Sequence, residues 1–188
     1  MPESIIRVSP DVMFRWELAN LANARGLTGT AVELGVNRGE FAANFLARWE
    51  GKRYIAVDHY LPYPDMPNPR AQDRDVAHAM LARFGNRVEW QELDTVLALE
   101  AMEPESVDAL YTDAFHALWA VQKELDVGWT RVRPGGMFAG HDFDYHCGDV
   151  CYAVRSFAAK HGLEVFLTQD GDSPWSWYTF KPEAACGS

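Results

Sequence analysis

The sequence lacks a long apolar run and has few basic residues. No stretch of its 188 residues approaches about 18 consecutive apolar residues, the length that a membrane-spanning helix needs. The 17 lysines and arginines are outnumbered by 27 acidic residues, which leaves a formal net charge of −10. Because this charge repels phosphate backbones, the composition argues against nucleic-acid binding through a broad basic surface. We therefore expect neither a membrane nor a nucleic acid as a partner.

Cysteine is also rare, and its three copies form no paired pattern. Cys147 and Cys151 have no second cysteine pair of the kind that structural zinc sites use. Together with Cys186 they make an odd number, which suits free thiols. The first residues, Met1-Pro2-Glu3-Ser4, lack the basic and then apolar pattern of a signal peptide. These features predict a protein of the reducing cytoplasm.

The remaining composition is that of a single globular domain over residues 1–188. Hydrophobic residues make up 48% and charged residues 23%, the usual balance for a folded chain. Strand-length apolar stretches alternate with amphipathic helix-length stretches almost from end to end. This alternation predicts an α/β fold, a doubly wound and mostly parallel sheet with helices on both faces. We expect an N-terminal helical segment over residues 1–28 and a Rossmann-like core over residues 29–182.

Seven strands are predicted in this core. They cover residues 30–34, 53–57, 88–91, 107–112, 136–139, 164–168 and 176–181. The connection between the last two strands is too short for the dozen or so residues of a crossover helix. The final strand should therefore run antiparallel to the others.

The first strand leads into a turn that contains two glycines. Gly35 allows the chain to leave the strand in a conformation that a side chain would block, and Gly39 permits close approach at the start of the next helix. Backbone N–H groups at that helix start would face a ligand in the crevice. Asn37 lies between the glycines, and the spacing is not the dinucleotide fingerprint G-x-G-x-x-G. An ordinary strand-to-helix turn is the alternative interpretation.

Three acidic residues accompany this turn. Asp58 ends the second strand, where a carboxylate can accept hydrogen bonds from two ribose hydroxyls. Glu33 lies within reach of a cationic amino group in the same crevice, and Asp94 opens the helix after the third strand, where it could meet an adenine edge. Together these positions predict a nucleoside cofactor that lacks a pyrophosphate.

These motifs resemble the class I S-adenosylmethionine (SAM)-dependent methyltransferases over about residues 30–181. The resemblance rests on the E-x-G-x-x-x-G turn, the acid after the second strand and the closing hairpin. It implies a seven-stranded sheet of order 3-2-1-4-5-7-6 with the last strand antiparallel, and SAM as the cofactor. Asn37 stands where the wider family often has glycine.

A second group of polar residues follows the fourth and fifth strands. Asp113 and His116 come after the fourth strand, and His141 and Asp142 come after the fifth. Because these strand ends open into the same crevice as the glycine turn, the side chains could bind a divalent cation. Carboxylates favour Mg²⁺ or Mn²⁺, and an imidazole shifts the preference toward Mn²⁺, Fe²⁺ or Zn²⁺. Helix capping by Asp113 and a hydrogen-bonded turn at 141–142 are the alternative.

The pattern D-x-x-H followed by P-G-G-x-x-x-x-(H/E)-D resembles the metal-dependent small-molecule O-methyltransferases, particularly the macrolide-sugar and cephalosporin-biosynthesis branch. The resemblance implies that Asp113 and Asp142 are metal ligands and that His116 is the general base. His141 occupies the place of a glutamate ligand. Asp113 is also expected to face the cofactor.

The sequence as a whole predicts a SAM-dependent methyltransferase that methylates a small-molecule hydroxyl with metal assistance. One alternative is a nucleotide-dependent oxidoreductase, which the missing G-x-G-x-x-G disfavours. Another is a ligand- or partner-binding module that has kept the fold without the chemistry. The acceptor is expected to be selected by the loop at 60–70, by the N-terminal helix or by a second subunit of a homo-oligomer.

Trp119 is predicted as a core or core-edge residue of the helix after the fourth strand.

Overall fold

Eight strands form one sheet in the structure of this chain, a computed structural model that describes residues 5–61, 70–144, 148–169 and 175–183. The strands are β1 (Ile5–Val8), β2 (Thr30–Leu34), β3 (Arg53–Val57), β4 (Val88–Gln91), β5 (Val107–Thr112), β6 (Val132–Phe143), β7 (Glu164–Leu167) and β8 (Trp175–Phe180). Their spatial order is β1-β7-β8-β6-β5-β2-β3-β4. Among the strands of the described ranges, only β8 runs antiparallel to its neighbours, β6 and β7.

In the part of the chain that the structure describes, six α-helices connect or flank these strands. They are α1 (Leu18–Ala24), α2 (Glu40–Leu46), α3 (Arg70–Leu81), α4 (Thr95–Glu100), α5 (Leu118–Arg131) and α6 (Gly148–His161). Short 3₁₀ helices at Arg15–Glu17 and Ala82–Arg87 precede α1 and follow α3.

The predicted sheet order is confirmed, with one strand added. Without β1, the sheet has the order 3-2-1-4-5-7-6 when its strands are counted from β2. The eighth strand was missed: β1 lies in the segment 1–28 that was expected to be helical. It pairs in parallel with β7 at the sheet edge, and three of its four residues are exposed. Such a short edge strand gives no alternating burial signal, so only its pairing with a distant part of the chain defines it.

Strand β6 is also longer than predicted. Its expected core at 136–139 extends to 132 and 143, so His141 and Asp142 lie within the strand. The pairing with β5 shifts its register between Val107 and Ala109, beside the Pro134-Gly135-Gly136 segment. At Asp142 the backbone has a φ of 57°, a left-handed conformation that aspartate adopts more readily than most residues.

Each face of the sheet carries three helices and its own apolar core. Helices α1, α2 and α3 pack on one face through residues such as Leu18, Phe45 and Leu81. Helices α4, α5 and α6 pack on the other through residues such as Leu99 and Leu125. Both sides of the central strands are therefore buried, as the near-continuous apolar sequences of β2 and β3 require.

None of the helices in the described ranges is long and apolar enough to cross a membrane. The carboxyl ends of β2, β3, β5 and β6 meet at one edge of the sheet, where the strand order reverses beside β2. In open α/β sheets ligands bind at this edge, and the polar residues singled out in the sequence follow these strand ends.

Candidate active site

A cavity of about 560 Å³ opens at this edge of the sheet. Its walls come from the turn after β2, the end of β3, the first turn of α4 and the segment from the end of β5 into α5. The lining includes Gly35, Asn37, Asp58, Asp94, Asp113 and His116. The structure therefore brings most of the predicted cofactor-binding residues to one cavity.

The glycine turn has the conformation that the sequence predicts. Gly35 has a φ of 89°, and a Cβ there would collide with the backbone carbonyl of Asp113. Asn37 has a φ of 50°, which asparagine tolerates better than other residues with a side chain. Gly39, with a φ of 80°, precedes the first residue of α2. The turn thus needs glycine at 35 for both its φ and the close approach of Asp113.

Asp58 lies directly after β3 and is buried. Its Oδ2 accepts a hydrogen bond of 2.9 Å from the Asn37 N–H, and its Oδ1 accepts one of 2.9 Å from the Tyr60 N–H. Arg70 at the start of α3 pairs with Oδ1 at 2.6 Å. These contacts hold the carboxylate rigidly beneath the cavity. Because a carboxylate offers about four acceptor positions, one remains for a ligand hydroxyl.

Glu33 lies on β2 with only 2% of its surface exposed. Its Oε2 accepts a hydrogen bond of 2.7 Å from the Tyr54 hydroxyl. Burial raises the pKa of Glu33 to about 8, and the neighbouring Asp113 carboxylate acts in the same direction. The group is therefore largely neutral at pH 7 in the ligand-free protein. It lines a second, smaller cavity of about 120 Å³.

Asp94 lines the large cavity, and it also caps α4. Its Oδ1 accepts hydrogen bonds from the N–H groups of Val96 and Leu97, at 2.9 Å and 3.2 Å. These bonds satisfy two of the free donors at the start of the helix. The predicted contact with an adenine edge would use the other carboxylate oxygen.

Asp113, His141 and Asp142 converge at the ends of β5 and β6. One ligand atom from each lies within 4.8 Å of the others. His141 Nδ1 is 3.7 Å from Asp113 Oδ2 and 3.3 Å from Asp142 Oδ1. Two carboxylate oxygens and one imidazole nitrogen this close together fit a divalent cation. The N–H of Leu118 at the start of α5 is bound by Asp149 and not by Asp113, whereas His141 and Asp142 do contact each other as in the alternative interpretation.

His116 lies against the same carboxylates. Its Nε2 is 2.7 Å from Asp142 Oδ2 and 3.8 Å from Asp113 Oδ1. The interactions with Asp113 and Asp142 raise the pKa of His116 to about 10. Burial alone would raise the pKa of Asp142, but the hydrogen bonds from His116 and His141 outweigh it and hold that pKa below its ordinary value. In the ligand-free protein the imidazolium of His116 thus supplies the positive charge between the acids.

Sequence reasoning missed two charged residues of the crevice. Arg15, from the 3₁₀ helix before α1, lies 3.5 Å from Asp113 Oδ2 and lines the smaller cavity with Glu33. Glu124 of α5 is buried and accepts hydrogen bonds from Thr95 and Thr112, at 2.6 Å and 2.5 Å. Burial raises the pKa of Glu124. No local motif marks either residue, because each reaches the crevice from a helix face.

The aromatic predictions are partly wrong. Trp119 is 71% exposed at the rim of the large cavity, although it was expected in the core or at its edge. Leu125 and Val121 of the same helix are buried instead, since α5 turns its tryptophan away from the sheet. Half-buried Cys151 is a free thiol, as expected. The loop residues 62–69 that were expected to select the acceptor, together with Cys147 and Cys186, lie outside the described residues.

Comparison with known proteins assigns this chain to a family. A family model described as a methyltransferase domain matches residues 32–143. No sequence among curated proteins matches the chain.

Solved structures agree in fold over most of the chain. An O-methyltransferase from Bacillus cereus in complex with S-adenosylhomocysteine (SAH) is 14% identical, with a TM-score of 0.64 over 93% of this chain and 84% of that one. The O-methyltransferase TomG from Streptomyces achromogenes, in complex with SAM, is 16% identical, with a TM-score of 0.62 over 92% and 83%. The N-methyltransferase NodS from Bradyrhizobium japonicum is 17% identical, with a TM-score of 0.62 over 90% and 95%. Since the family model spans more than half of the sequence, including the glycine turn and the acid–imidazole residues, this chain belongs to the methyltransferase domain family.

Proposed function

We propose that this protein is a SAM-dependent O-methyltransferase that acts on a hydroxyl of a small molecule with the help of a divalent cation. The observation that carries the proposal is the position of Asp113. Asp113 lines the large cavity beside Gly35, and its carboxylate belongs to the cluster with His141 and Asp142. A nucleoside pocket and an acid–imidazole cluster therefore share one wall, as transfer between a cofactor and an activated acceptor requires.

The cofactor would lie along the carboxyl edge of the sheet. Asp58 would accept from a ribose hydroxyl, and Asp94 would meet the adenine. Glu33 would pair with the cationic amino group at the amino-acid end of SAM. The two structurally similar proteins that carry SAH and SAM support SAM as the cofactor, because they share the fold of this chain.

Asp113, His141 and Asp142 would hold the cation. A divalent cation bound there would supply positive charge where the imidazolium of His116 now lies, and it would lower the pKa of a hydroxyl that it binds. The residues of the cluster would orient that hydroxyl toward the large cavity. Asp142 would hold the His116 ring through the 2.7 Å contact.

The transfer itself is a direct displacement. The acceptor oxygen attacks the methyl carbon, a C–O bond forms, and the bond from that carbon to sulfur breaks. The electron pair of the broken bond stays on sulfur, and SAH results. The neutral form of His116 takes the hydroxyl proton at the ring nitrogen that Asp142 does not hold. Alignment of oxygen, carbon and sulfur provides much of the acceleration.

Calorimetric titration tests the cofactor first. We expect heat of binding with SAM and SAH and none with NAD, which a nucleotide-dependent oxidoreductase would bind. An absence of heat with both SAM and SAH would overturn the proposal as a whole.

Methyl transfer from labelled SAM to a panel of sugars, phenols and carboxylic acids then tests the chemistry. We expect turnover on a hydroxyl acceptor that falls in excess chelator and returns with Mn²⁺ or Mg²⁺. Asp142→Asn should abolish the response to metal. Asp126→Asn is the matched control, because Asp126 pairs with Lys160 on the exposed surfaces of α5 and α6. Turnover that persists unchanged in chelator would remove the cation from the proposal.

A further inference from the structure

Arg15 reaches the crevice because the N-terminal segment is tied across the sheet. The Ser9 N–H donates to the Leu167 carbonyl, and the Ser9 hydroxyl is 2.7 Å from the Tyr178 hydroxyl. Gln169 donates through Nε2 to the Ser9 carbonyl at 2.7 Å. The Gln169 N–H also donates to the Val12 carbonyl at 3.0 Å, so the chain stays bonded beyond the end of β7 as far as residue 12. The pairing of strand β1 therefore places the following 3₁₀ helix, which contains Arg15, near the end of β2.

The Arg15 side chain is held in place by aromatic rings. Its guanidinium carbon lies 6.0 Å from the centroid of the Phe41 ring, and Phe41 stacks on Tyr111 at 3.8 Å. About a quarter of the side chain remains exposed. The contact with Asp113 is long, at 3.5 Å. A guanidinium has five N–H donors, so Arg15 keeps donors for a ligand.

The smaller cavity places Arg15 and Glu33 around one space. This cavity has about 120 Å³, well above the volume that one water needs. Gly35, Asn37 and Asp113 line both this cavity and the large one. The two cavities therefore adjoin at the glycine turn. A ligand whose nucleoside fills the large cavity would extend its other end into the small one.

We propose that Arg15 binds the α-carboxylate at the amino-acid end of the cofactor, opposite the ammonium site at Glu33. This inference rests on the proposed SAM-dependent function. The small cavity then recognises a zwitterion: an arginine suits the planar carboxylate, and an acid suits the ammonium. Arg15 acts as a specificity residue, which distinguishes complete SAM and SAH from adenosine ligands without a carboxylate.

Arg38 also lines the small cavity, but it is less suited to this role. Its side chain is 54% exposed, and it faces Asp73 of α3 at 3.9 Å. An exposed charge gains little from pairing because water screens it. Arg15 is more deeply buried and lies beside Tyr111 and Asp113, so its charge acts in a less hydrated setting.

The test compares three ligands by calorimetry. SAH carries both the amine and the carboxylate, decarboxylated SAH keeps the amine alone, and 5′-methylthioadenosine lacks both. In the wild type we expect SAH to bind about 10- to 100-fold more tightly than its decarboxylated form, as a charged hydrogen-bonded pair implies. Arg15→Gln should bring this ratio close to one, without changing the affinity for methylthioadenosine. Arg15→Lys should keep part of the ratio, and Arg38→Gln should keep all of it.

Several outcomes would overturn the inference. One is a ratio that survives in Arg15→Gln, and another is an equal loss of affinity for all three ligands, which indicates a structural role. If Arg15→Gln does not fold, a full ratio in Arg15→Lys overturns the inference, since the bidentate fork would then be dispensable. A wild type that binds none of the three ligands contradicts the proposed function itself, and the inference falls with it. Binding of methylthioadenosine with no preference for SAH contradicts the inference alone.

Discussion

Glu33 and Asp142 are both buried carboxylates at the same edge of the sheet, yet their pKa values move in opposite directions. Glu33 has a tyrosine hydroxyl as its hydrogen-bond donor, and burial raises its pKa to about 8. Asp142 lies against two imidazoles, and their hydrogen bonds lower its pKa despite burial. Burial disfavours the charged form in both cases, so the partner decides the outcome.

This difference divides the crevice into two regions. The region around Glu33 holds a largely neutral acid that is ready to gain a charge when a cationic ligand arrives. The acid–imidazole region already contains its own cation, His116, which a metal would have to replace. The first region is thus suited to binding a positively charged cofactor, and the second to exchanging a proton and a cation.

The largest expected effect is on turnover, from a substitution in the acid–imidazole region formed by Asp113, His116, His141 and Asp142. Once an acceptor is known, His116→Ala should lower kcat about 100- to 10,000-fold, because the general base is lost. The affinity for SAH should stay within about twofold by calorimetry, since Glu33 and Asp58 are untouched. His161→Ala on α6, which packs beside Trp129, is the control. Full turnover in His116→Ala would exclude it as the base.

Gly35→Ala should damage both regions at once. The new Cβ would collide with the Asp113 carbonyl at a φ of 89°, so we expect a loss of about 3 kcal/mol or more in the free energy of unfolding and no detectable SAH binding. Gly26→Ala is the matched control: its φ is 68°, with nothing within 4 Å of the new Cβ. It should cost about 1 kcal/mol. Equal losses in urea denaturation would show that φ, and not the contact, sets the requirement.

The affinity for SAH should depend on pH through Glu33. The ionised form pairs with the ammonium, so affinity should rise up to about tenfold per pH unit and level off near pH 8, with a proton released on binding. Calorimetry in two buffers of different ionisation enthalpy measures that proton. Glu33→Gln should weaken binding and flatten the profile. A flat profile in the wild type would contradict the assignment.

The raised pKa of Glu33 also predicts how the stability of the ligand-free protein depends on pH. Because the folded protein holds the Glu33 proton more tightly than the unfolded chain, the unfolding free energy should fall as the pH rises from about 4.5 to about 8. Glu33→Gln should remove this part of the decline. Denaturation curves of both proteins at pH 5 and pH 9 provide the comparison, and parallel declines would contradict a buried, neutral Glu33.

Substitutions of Asp94 are expected to have the smallest effects on stability and on SAH affinity. Asp94→Ala should cost about 1 kcal/mol of stability, because the cap of α4 is lost. Asp94→Ser should restore the cap without the carboxylate that faces the cavity. We expect Asp94→Ser to bind SAH about 3- to 10-fold more weakly than the wild type. Unchanged binding in Asp94→Ser would make Asp94 a helix cap only.

Local sequence patterns predicted the central strands and the positions of the strand-end residues, and the family resemblance implied the order of the strands. Gly35 and Asp113 could be assigned to one crevice because the carboxyl ends of parallel strands share one edge. The branch of methyltransferases, the metal and the acceptor stay predictions. Arg15 and Trp119 escaped this reasoning, since their positions depend on how a helix or a loop turns relative to the sheet.

The sequence by itself determined the doubly wound sheet, because hydrophobic periodicity and glycine placement act over a few residues. Only the tertiary structure decided three other features. They are the pairing of the additional strand β1, the position of Arg15 beside Glu33, and the opposite charge states of Glu33 and Asp142. Each depends on which distant groups become neighbours, and on how much water remains between them, and neither quantity is encoded in local spacing.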